Sequence, residues 1–475
     1  MKVIQPRRSD VRQARTPLAA PVALSLSWAL GGMATAAVPP GTTGIVASAE
    51  HRTSATPAHT PLRYDMDYPT IGYADPPHHN AIARLQERLE RGEAKLEFKG
   101  PRGYLDSLLK ALKIDPSSQV LVYSKTSLQI DWINAATPRA IYFNDDAYVA
   151  WVQGSDLLEM SVMDDDVGAV FYTLPNREVA TPPFERQTSQ CLTCHDTFAM
   201  AGGGVPRFLI ASTVVDTDGI ALQEETSHET DDTTPLADRW GGWYVTGQPD
   251  NEVHLGNLMF RPGQRANARG QHRGTLASVG SLFDTKPYIT DKSDIVALLV
   301  LEHQLEVKNL ITRLNFKARS FLARDAAARA PEQVTYANAS PRTQTAIRSM
   351  VNQLVRAMLF ENAAQYRGRI GGTSGFDKWF DAQGPRDPQG RSLRDFDLRT
   401  RLFKYPLSYV IYSDGFNALP AYVKGRIYAR LREVLSGEDA APEFRYLAPS
   451  DRTAILQILT ATKPDFAATA ALAQR

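Results

Sequence analysis

Residues 139–174 read RAIYFNDDAYVAWVQGSDLLEMSVMDDDVGAVFYTL, and this stretch decides the fold. It contains four runs that are rich in β-branched and aromatic residues, at 139–144, 147–153, 157–163 and 169–174. The turns between them contain Asn-Asp-Asp, Gly-Ser and Asp-Asp-Asp, and polar turns between such runs are typical of antiparallel strands. A fifth run, VLVYS, precedes them at 120–124. The sequence therefore predicts an antiparallel sheet in the N-terminal half of the chain.

Helical periodicity flanks this predicted sheet on both sides. Apolar residues spaced three and four apart predict two helices before it, over 79–96 and 103–112. The same spacing predicts helices after it, over 293–323, 342–367, 419–435 and 450–461. Residues 181–290 are rich in Gly and Pro and predict loops. The predicted fold class is α+β: an N-terminal antiparallel sheet with helices, a loop-rich segment and a mainly helical C-terminal part.

The first 62 residues have the features of an exported protein. Residues 1–36 combine five basic residues with an apolar stretch and the small-residue site Ala34-Thr35-Ala36, which predicts a cleaved signal peptide. A retained anchor is the alternative, but Pro21 is unfavourable in a spanning helix. Residues 37–62 are rich in Pro, Thr, Ala and Ser and predict a flexible tether. The rest is expected to divide into an α+β domain, the loop-rich segment and the helical part, over 63–180, 181–290 and 291–475.

The composition indicates a soluble globular protein. Of the 475 residues, 43% are hydrophobic and 22% are charged. The net charge is +1, and it becomes −3 without the five basic and one acidic residues of 1–36. This balance gives no indication of a nucleic-acid partner. No segment after the leader has 18 uninterrupted apolar residues, so we expect no membrane span in the mature chain.

The pentapeptide CLTCH, residues 191–195, contains the only two cysteines of the chain. Two thiols three positions apart on one turn can each add to a vinyl group of a porphyrin, and the following histidine is then held under the iron. Cys191 and Cys194 are therefore candidate attachment residues, and His195 is a candidate axial ligand, for one covalently bound haem c. Such attachment takes place after export, in agreement with the predicted signal peptide.

Two other kinds of site also use a Cys-x-x-Cys pair. A structural zinc site needs two further ligands, and in a chain without other cysteines these would be His, Asp or Glu. A dithiol redox site opens a helix after a buried strand and has no need of His195. The histidine directly after Cys194 favours haem, and the zinc and dithiol sites stay open as alternatives.

Eight segments carry a resemblance that covers nearly all of the mature chain. They are VYSKTSLQ (122–129), PRAIYFNDDAYVAWVQG (138–154), FERQTSQCLTCH (184–195), RWGGWYVTG (239–247), HLGN (254–257), LEHQLEVKNLITR (301–313), GRSLRDFDLRTRLFKYPLSYVIYS (390–413) and DRTAILQILTATKP (451–464). These segments resemble a family of large bacterial extracytoplasmic proteins with a single haem-c motif. The resemblance implies haem binding and electron transfer, without an agreed substrate. This chain departs from the family at Gln248-Pro249, where the family's pattern has Thr-His-Gly, so any role of that histidine is absent.

A haem iron also needs a second axial ligand or an open face. Met200 is only five residues from His195, which is too short a connection to clear the edge of the porphyrin. His254 lies in a polar, glycine-flanked segment after the aromatic cluster of 240–244, and it is the favoured distal ligand. The other candidates are His228, His303 and Met259.

Two further groups of residues are candidates to serve the cofactor. Three residues on one predicted helix combine carboxylate and imidazole groups that could hold a metal: Glu302, His303 and Glu306. A solvated helix face with one packed histidine is the simpler interpretation of these three. Three arginines near the motif are candidates to pair with the haem propionates: Arg186, Arg207 and Arg239.

The predicted function is one-electron transfer in the periplasm through one covalently bound haem, with a periplasmic electron donor or acceptor protein as partner. The alternative is a haem-dependent oxidoreductase, peroxidase- or oxidase-like, with an open iron or a second metal site. It is a serious alternative because about 400 residues around one haem exceed what a relay requires. A sensor of a diatomic ligand is a third class. A peroxidase of the dihaem type would need a second haem motif, which the sequence lacks.

Overall fold

The computed structural model of the chain describes residues 70–75, 78–196, 204–222, 227–248, 252–264, 274–330, 332–439 and 441–473. The predicted signal peptide, 1–36, and tether, 37–62, lie outside the described residues. The described residues belong to one compact unit that extends from Thr60 to Arg475. Within the described ranges, no helix has the length and the apolar character needed to cross a membrane.

An antiparallel sheet of seven strands forms, and five of its strands coincide with the predicted runs. The strands are β1 (Val120–Val122), β2 (Arg139–Phe143), β3 (Ala147–Trp151), β4 (Leu157–Asp164), β5 (Gly168–Pro175), β6 (Glu185–Gln187) and β9 (Trp243–Tyr244). Their order across the sheet is β6-β5-β4-β3-β2-β1-β9. Two more strands, β7 (Ala211–Ser212) and β8 (His228–Glu229), pair with each other in a separate ribbon. Because β6 and β9 come from the loop-rich segment, the sheet includes residues on both sides of the boundary expected at residue 180.

Helices flank the sheet in the chain order that the periodicity predicts. Two precede it, α1 (Ala81–Glu90) and α2 (Leu105–Ala111), and a single turn, α3 (Leu192–His195), follows β6. The C-terminal part contains α4 (Ile295–Ala328), α5 (Pro341–Met358), α6 (Phe376–Asp381), α7 (Asp414–Asn417), α8 (Ala421–Ser436), α9 (Pro449–Thr462) and α10 (Pro464–Ala473). The predicted α+β fold class, with a mainly helical C-terminal part, is confirmed.

The long helix α4 packs on one face of the sheet. Tyr148 on β3 and Phe171 on β5 both lie opposite Ser161 of β4, so their side chains share a face. From α4, the Gln304 amide donates a hydrogen bond to the Tyr148 hydroxyl at 2.6 Å and accepts one from the Tyr409 hydroxyl at 2.5 Å. These two bonds join the sheet, α4 and the C-terminal part.

The opposite face of the sheet is covered by the N-terminal helices. Asn80 caps α1, because its side-chain oxygen accepts hydrogen bonds from the backbone N–H groups of Ile82 and Ala83. The amide group of the same side chain donates to Asp164 at 2.8 Å and to the Tyr172 hydroxyl at 3.3 Å. One asparagine therefore both starts the helix and attaches it to β4 and β5.

Two glycines allow a direct test of how closely α4 approaches the sheet. Gly168 and Gly92 share a left-handed φ of +69°, but an added Cβ at Gly168 would lie 2.3 Å from Thr312 Cγ2 on α4, whereas nothing lies within 4 Å at Gly92. We expect G168A to lower the free energy of unfolding by roughly 2–4 kcal/mol and G92A by about 1 kcal/mol. Chemical denaturation measures both. T312A should recover part of the loss in G168A, and equal losses at the two glycines would contradict the close approach.

Candidate functional site

The CLTCH motif forms one helical turn directly after the edge strand β6. Cys191 occupies the N-terminal position of α3, and the His195 N–H donates to the Cys191 carbonyl at 3.0 Å. No disulfide joins the two cysteines; Cys191 is partly buried and Cys194 is exposed. Both thiols therefore lie on a single turn with His195 at its end, which is the arrangement that the spacing predicts.

A backbone carbonyl holds the ring of His195. Its Nδ1 lies 2.8 Å from the carbonyl oxygen of Arg207, and the Arg207 N–H donates to the His195 carbonyl at 3.1 Å. Because a carbonyl oxygen only accepts, Nδ1 carries the proton and Nε2 keeps a lone pair. Burial lowers the pKa of His195 to about 4, so the imidazole is neutral at pH 7. The ring also packs 4.4 Å from the ring of Phe171 on β5.

The segment 204–212 fixes Arg207 in this position. The Phe208 N–H donates to the Asn309 side chain on α4 at 2.8 Å, and the Asn309 amide donates to the Phe208 carbonyl at 2.9 Å. The Phe208 ring packs 4.9 Å from that of Tyr148. Further along, the Trp243 indole N–H donates to the Ala211 carbonyl at 2.9 Å. The segment thus crosses the sheet face and is anchored to the rigid helix α4.

Two charged residues from the sheet lie on the same face as His195. Glu159 of β4 accepts hydrogen bonds from the Leu128 N–H at 2.9 Å and from the Gln129 amide at 2.8 Å. Arg139 of β2 lies 3.7 Å from Glu159 and lowers the pKa of His195 further, after the larger effect of burial. Burial, and then Glu159, raises the pKa of the Cys191 thiol to about 11.

These properties discriminate among the sites that a Cys-x-x-Cys pair can form. The raised pKa of the Cys191 thiol disfavours a reactive dithiol at neutral pH, because attack by a thiol requires the thiolate. Within the part of the chain that the structure describes, no group of three or more His, Cys, Asp and Glu residues is arranged to hold a metal ion. The neutral imidazole, with Nδ1 bonded and Nε2 left as a donor, has the form that an axial iron ligand requires. The residues fit haem c better than zinc or a reactive dithiol.

His254 is not brought together with His195. It is fully buried, with Nε2 at 3.1 Å from the Thr275 hydroxyl and its ring 5.4 Å from that of Trp240. Its segment bonds to the edge of the sheet formed by β9, because the Asn257 N–H donates to the Trp243 carbonyl at 2.9 Å. His195 packs on β5, and five strand spacings of about 4.8 Å, roughly 24 Å in all, separate β5 from β9. The strand order therefore gives no support to His254 as the distal ligand, and that assignment stays a prediction.

Of the other distal candidates, only His228 stays near the motif. His303 is fully buried, with Nδ1 at 2.6 Å from Asp232 and Nε2 at 2.8 Å from the Ser408 hydroxyl. Met259 lies beside the Tyr244 hydroxyl, at 3.7 Å, on the β9 edge. Met200 lies outside the described residues.

The position of His228 follows from the small ribbon of β7 and β8. His228 lies opposite Ser212 on β8, next to Glu229, which forms an ion pair with Arg207. It is partly exposed. Since Arg207 is the residue whose carbonyl holds His195, His228 belongs to the same local segment as the motif.

On α4, Glu302 is buried and Glu306 is partly buried, so a solvated face does not describe them, and no metal-binding group is found among the described residues. Glu302 is fully buried; it accepts hydrogen bonds from Arg239 at 2.7 Å and from the Trp240 indole at 3.1 Å. Among the described residues, Glu306 accepts a hydrogen bond only from the backbone N–H of Asp232, at 3.2 Å. Burial, and then the carboxylates of Asp232 and Asp231, raises the pKa of Glu306 to about 8. Glu302 is thus ion-paired, whereas Glu306 is protonated at neutral pH.

Asp232, His303 and Ser408 are connected in the order of a hydrolase triad, but their surroundings indicate a structural role. The ring of His303 stacks on Phe360 at 4.2 Å, and the side chains of His303 and Ser408 are fully buried. The Ser408 hydroxyl also accepts a hydrogen bond from the Val410 N–H at 3.3 Å, as the cap of a short 3₁₀ turn. A nucleophile must reach its substrate, and this serine is packed inside the protein.

Sequence reasoning did not identify three residues of the motif's surroundings. They are Asn309, which holds the segment, and the pair Arg139 and Glu159, whose charges act on the motif. Asparagine is unfavourable in the middle of a long helix, so its presence at position 309 could have indicated a specific hydrogen-bonding role. The arginine and glutamate lie in strands that the sequence predicts, but their spatial pairing across the sheet has no local signature.

Comparisons of the chain with protein-family models, with curated proteins and with solved structures find no match. The interpretation of the site therefore depends on the geometry described above and on the motif itself.

The raised pKa of Glu306 predicts a pH-dependent stability. Between about pH 4.5, the ordinary pKa, and about pH 8, the folded protein keeps this proton while the unfolded chain releases it. Stability therefore falls as the pH rises through this window. We expect E306Q to abolish a loss on the order of 3 kcal/mol that the unmodified protein shows in urea denaturation between these pH values. E332Q, at an exposed carboxylate, is the control, and parallel profiles for all three proteins would refute the prediction.

Proposed function

We propose that the chain is a c-type cytochrome that carries one haem, bound through Cys191 and Cys194 and ligated by His195, and that it transfers single electrons in the periplasm. One observation carries the proposal: the Arg207 carbonyl binds Nδ1 of His195 at 2.8 Å. This bond orients the ring and leaves Nε2 for an iron atom. The histidine held in this way is the one that directly follows the Cys-x-x-Cys pair.

The residues around the motif have defined tasks in this proposal. When bound, the haem supplies a one-electron couple that the protein itself lacks. Cys191 and Cys194 attach it at two points, and the short turn between them holds His195 at a fixed distance from both. Phe171 packs against the imidazole and excludes water from one side of the ring. Asn309 keeps the segment 204–212 from moving, so the ligand geometry stays constant when the charge of the iron changes.

The location and the partner follow from the same proposal. Haem c is attached outside the cytoplasm, and residues 1–36 supply the predicted export signal. The partner is then a periplasmic protein that gives or takes one electron. Cys194, at the exposed end of the turn, supports the entry of electrons at this edge of the haem, because the thioether edge would be its most accessible part.

An oxidoreductase is the second candidate, and a cleft beside α4 favours it. The cleft has a volume of about 580 Å³, and its lining includes Glu306, Asn352 and Gln353. Glu306 is three residues, or one helical turn, from Asn309, which binds the segment that holds His195. A polar cleft with a protonated carboxyl group at neutral pH has the chemistry of a substrate site with a general acid.

Covalent attachment is the direct test of the cytochrome proposal. Expressed with the haem-attachment machinery, the protein should stain for haem after denaturing electrophoresis, and C191S or C194S should weaken or abolish the stain because each removes one thioether bond. H228A is the control, since this histidine lies near the motif but is no attachment residue. A wild-type protein without haem on such a gel would refute the proposal.

Optical spectra of the haem protein distinguish the two candidates, an electron-transfer cytochrome and an oxidoreductase with an open iron. Since the strands against which His195 and the segment of His254 lie, β5 and β9, are five spacings or roughly 24 Å apart in the sheet, we expect H254A to leave the spectrum of the bound haem unchanged. Conversion of a low-spin to a high-spin spectrum in H254A would contradict the strand order, and the same conversion in H228A would identify that residue instead. A wild-type iron that binds carbon monoxide would favour the oxidoreductase over the relay.

A further inference from the structure

Arg139 differs from other arginines near the motif in that its one partner among the described residues is a loose ion pair with Glu159, at 3.7 Å. Its side chain is only 15% exposed, and its one close acidic neighbour, Glu159, lies at 3.7 Å, beyond hydrogen-bonding distance. Its Nε is buried without a partner in the described structure, as are those of Arg186 and Arg207, so the difference lies in the terminal nitrogens. The Glu159 carboxylate is bonded to Leu128 and Gln129 instead. A guanidinium group has five N–H donors, and leaving them unsatisfied in the interior is costly.

The arginines that the sequence suggested for the propionates are already engaged. Arg186 donates to the Tyr73 carbonyl at 2.9 Å and contacts His78. Arg207 donates to Glu229 at 2.7 Å. Arg239 is buried in its pair with Glu302, at 2.7 Å. Each of these guanidinium groups therefore donates a hydrogen bond from a terminal nitrogen, whereas the terminal nitrogen of Arg139 nearest to an acceptor only forms the 3.7 Å ion pair with Glu159.

The sheet places Arg139 on the side where a group attached to the motif would lie. Ile141 on β2 lies opposite Ala150, and Ala150 lies opposite Glu159, so these three side chains share a face with Arg139, two residues before Ile141. Glu159 lies opposite Thr173 on β5, two residues from Phe171, against which His195 packs. The order along this face is thus His195, then Glu159, then Arg139.

We propose that Arg139 binds a carboxylate beside the iron site, and that this carboxylate is a propionate of the haem. The inference rests on the proposed cytochrome function. A planar guanidinium with free parallel N–H donors matches a carboxylate in a bidentate fashion. A negative group there would also compensate the buried charge, which Glu159 at 3.7 Å does only through its field. A free carboxylate, such as a substrate anion, has the same chemistry and is the other source.

Substitutions of Arg139 test whether this residue binds a haem propionate, and a substitution of Arg186 is the control. The experiment uses the covalent haem protein and measures the resonance Raman band of propionate bending and the midpoint potential. R139Q removes both the charge and the bidentate donor set, R139K keeps the charge alone, and R186Q removes a similar charge from β6 on the opposite face. Haem staining of each variant shows whether the cofactor is attached.

We expect the propionate band to shift in R139Q and in R139K but not in R186Q. The potential should fall in R139Q, because loss of a nearby cation favours the ferric state, and R139K should stay closer to wild type. If R139Q does not fold, the propionate band of R139K is the measurement that tests the proposal. A free carboxylate would instead leave the bands unchanged, while added acetate at constant ionic strength would shift the potential of wild type and not that of R139Q.

Two results overturn the inference, and they differ from failure of the proposed function. Haem that is attached in every variant, with unchanged bands and no response to acetate, refutes the role of Arg139 and leaves the cytochrome intact. A wild-type protein without covalent haem refutes the proposed function itself, and the inference with it.

Discussion

Helix α4 is buried along most of its length, and this constraint organises the rest of the structure. A polar side chain inside a protein destabilises it unless the side chain finds a partner, and several buried polar residues of α4 bond to other elements. Glu302 accepts a hydrogen bond from Arg239 of the loop-rich segment. Gln304 forms hydrogen bonds with Tyr148 of the sheet and with Tyr409, further along the C-terminal part. One helix therefore fixes the mutual positions of all three regions.

The burial of α4 also affects the candidate site, through Asn309. The amide of this residue satisfies both backbone groups of Phe208, which places the neighbouring carbonyl of Arg207 against His195. The loop-rich segment has only short strands and little rigidity of its own. The orientation of the imidazole is thus determined by a helix that has no direct bond to it. A redox site profits from such support, because electron transfer is fastest when the ligands move little.

The strands, the helices and the CLTCH turn were predictable because each has a local pattern: a period of two, a period near 3.6, and a fixed spacing of thiols and imidazole. The position of His254 was not, because it depends on β9 pairing with β1 at the far edge of the sheet. Glu302 resembles a surface residue in sequence, since neighbouring charges are common on wet helices, and only its partner Arg239 shows that it is buried. Non-local pairing determines these features, and one sequence contains no direct record of it.

Glu302 and Glu306 of α4 show how environment assigns different roles to one residue type. Glu302 has a cation and an indole N–H as partners, so its charge is compensated and it serves the fold. Glu306 has a single backbone N–H and two carboxylates nearby, so it retains a proton and borders a cleft. A pure relay has no need of such a cleft one turn from the segment that holds His195. In the proposed cytochrome, whether the iron is closed or open would therefore decide whether Glu306 serves the fold alone or also a reaction.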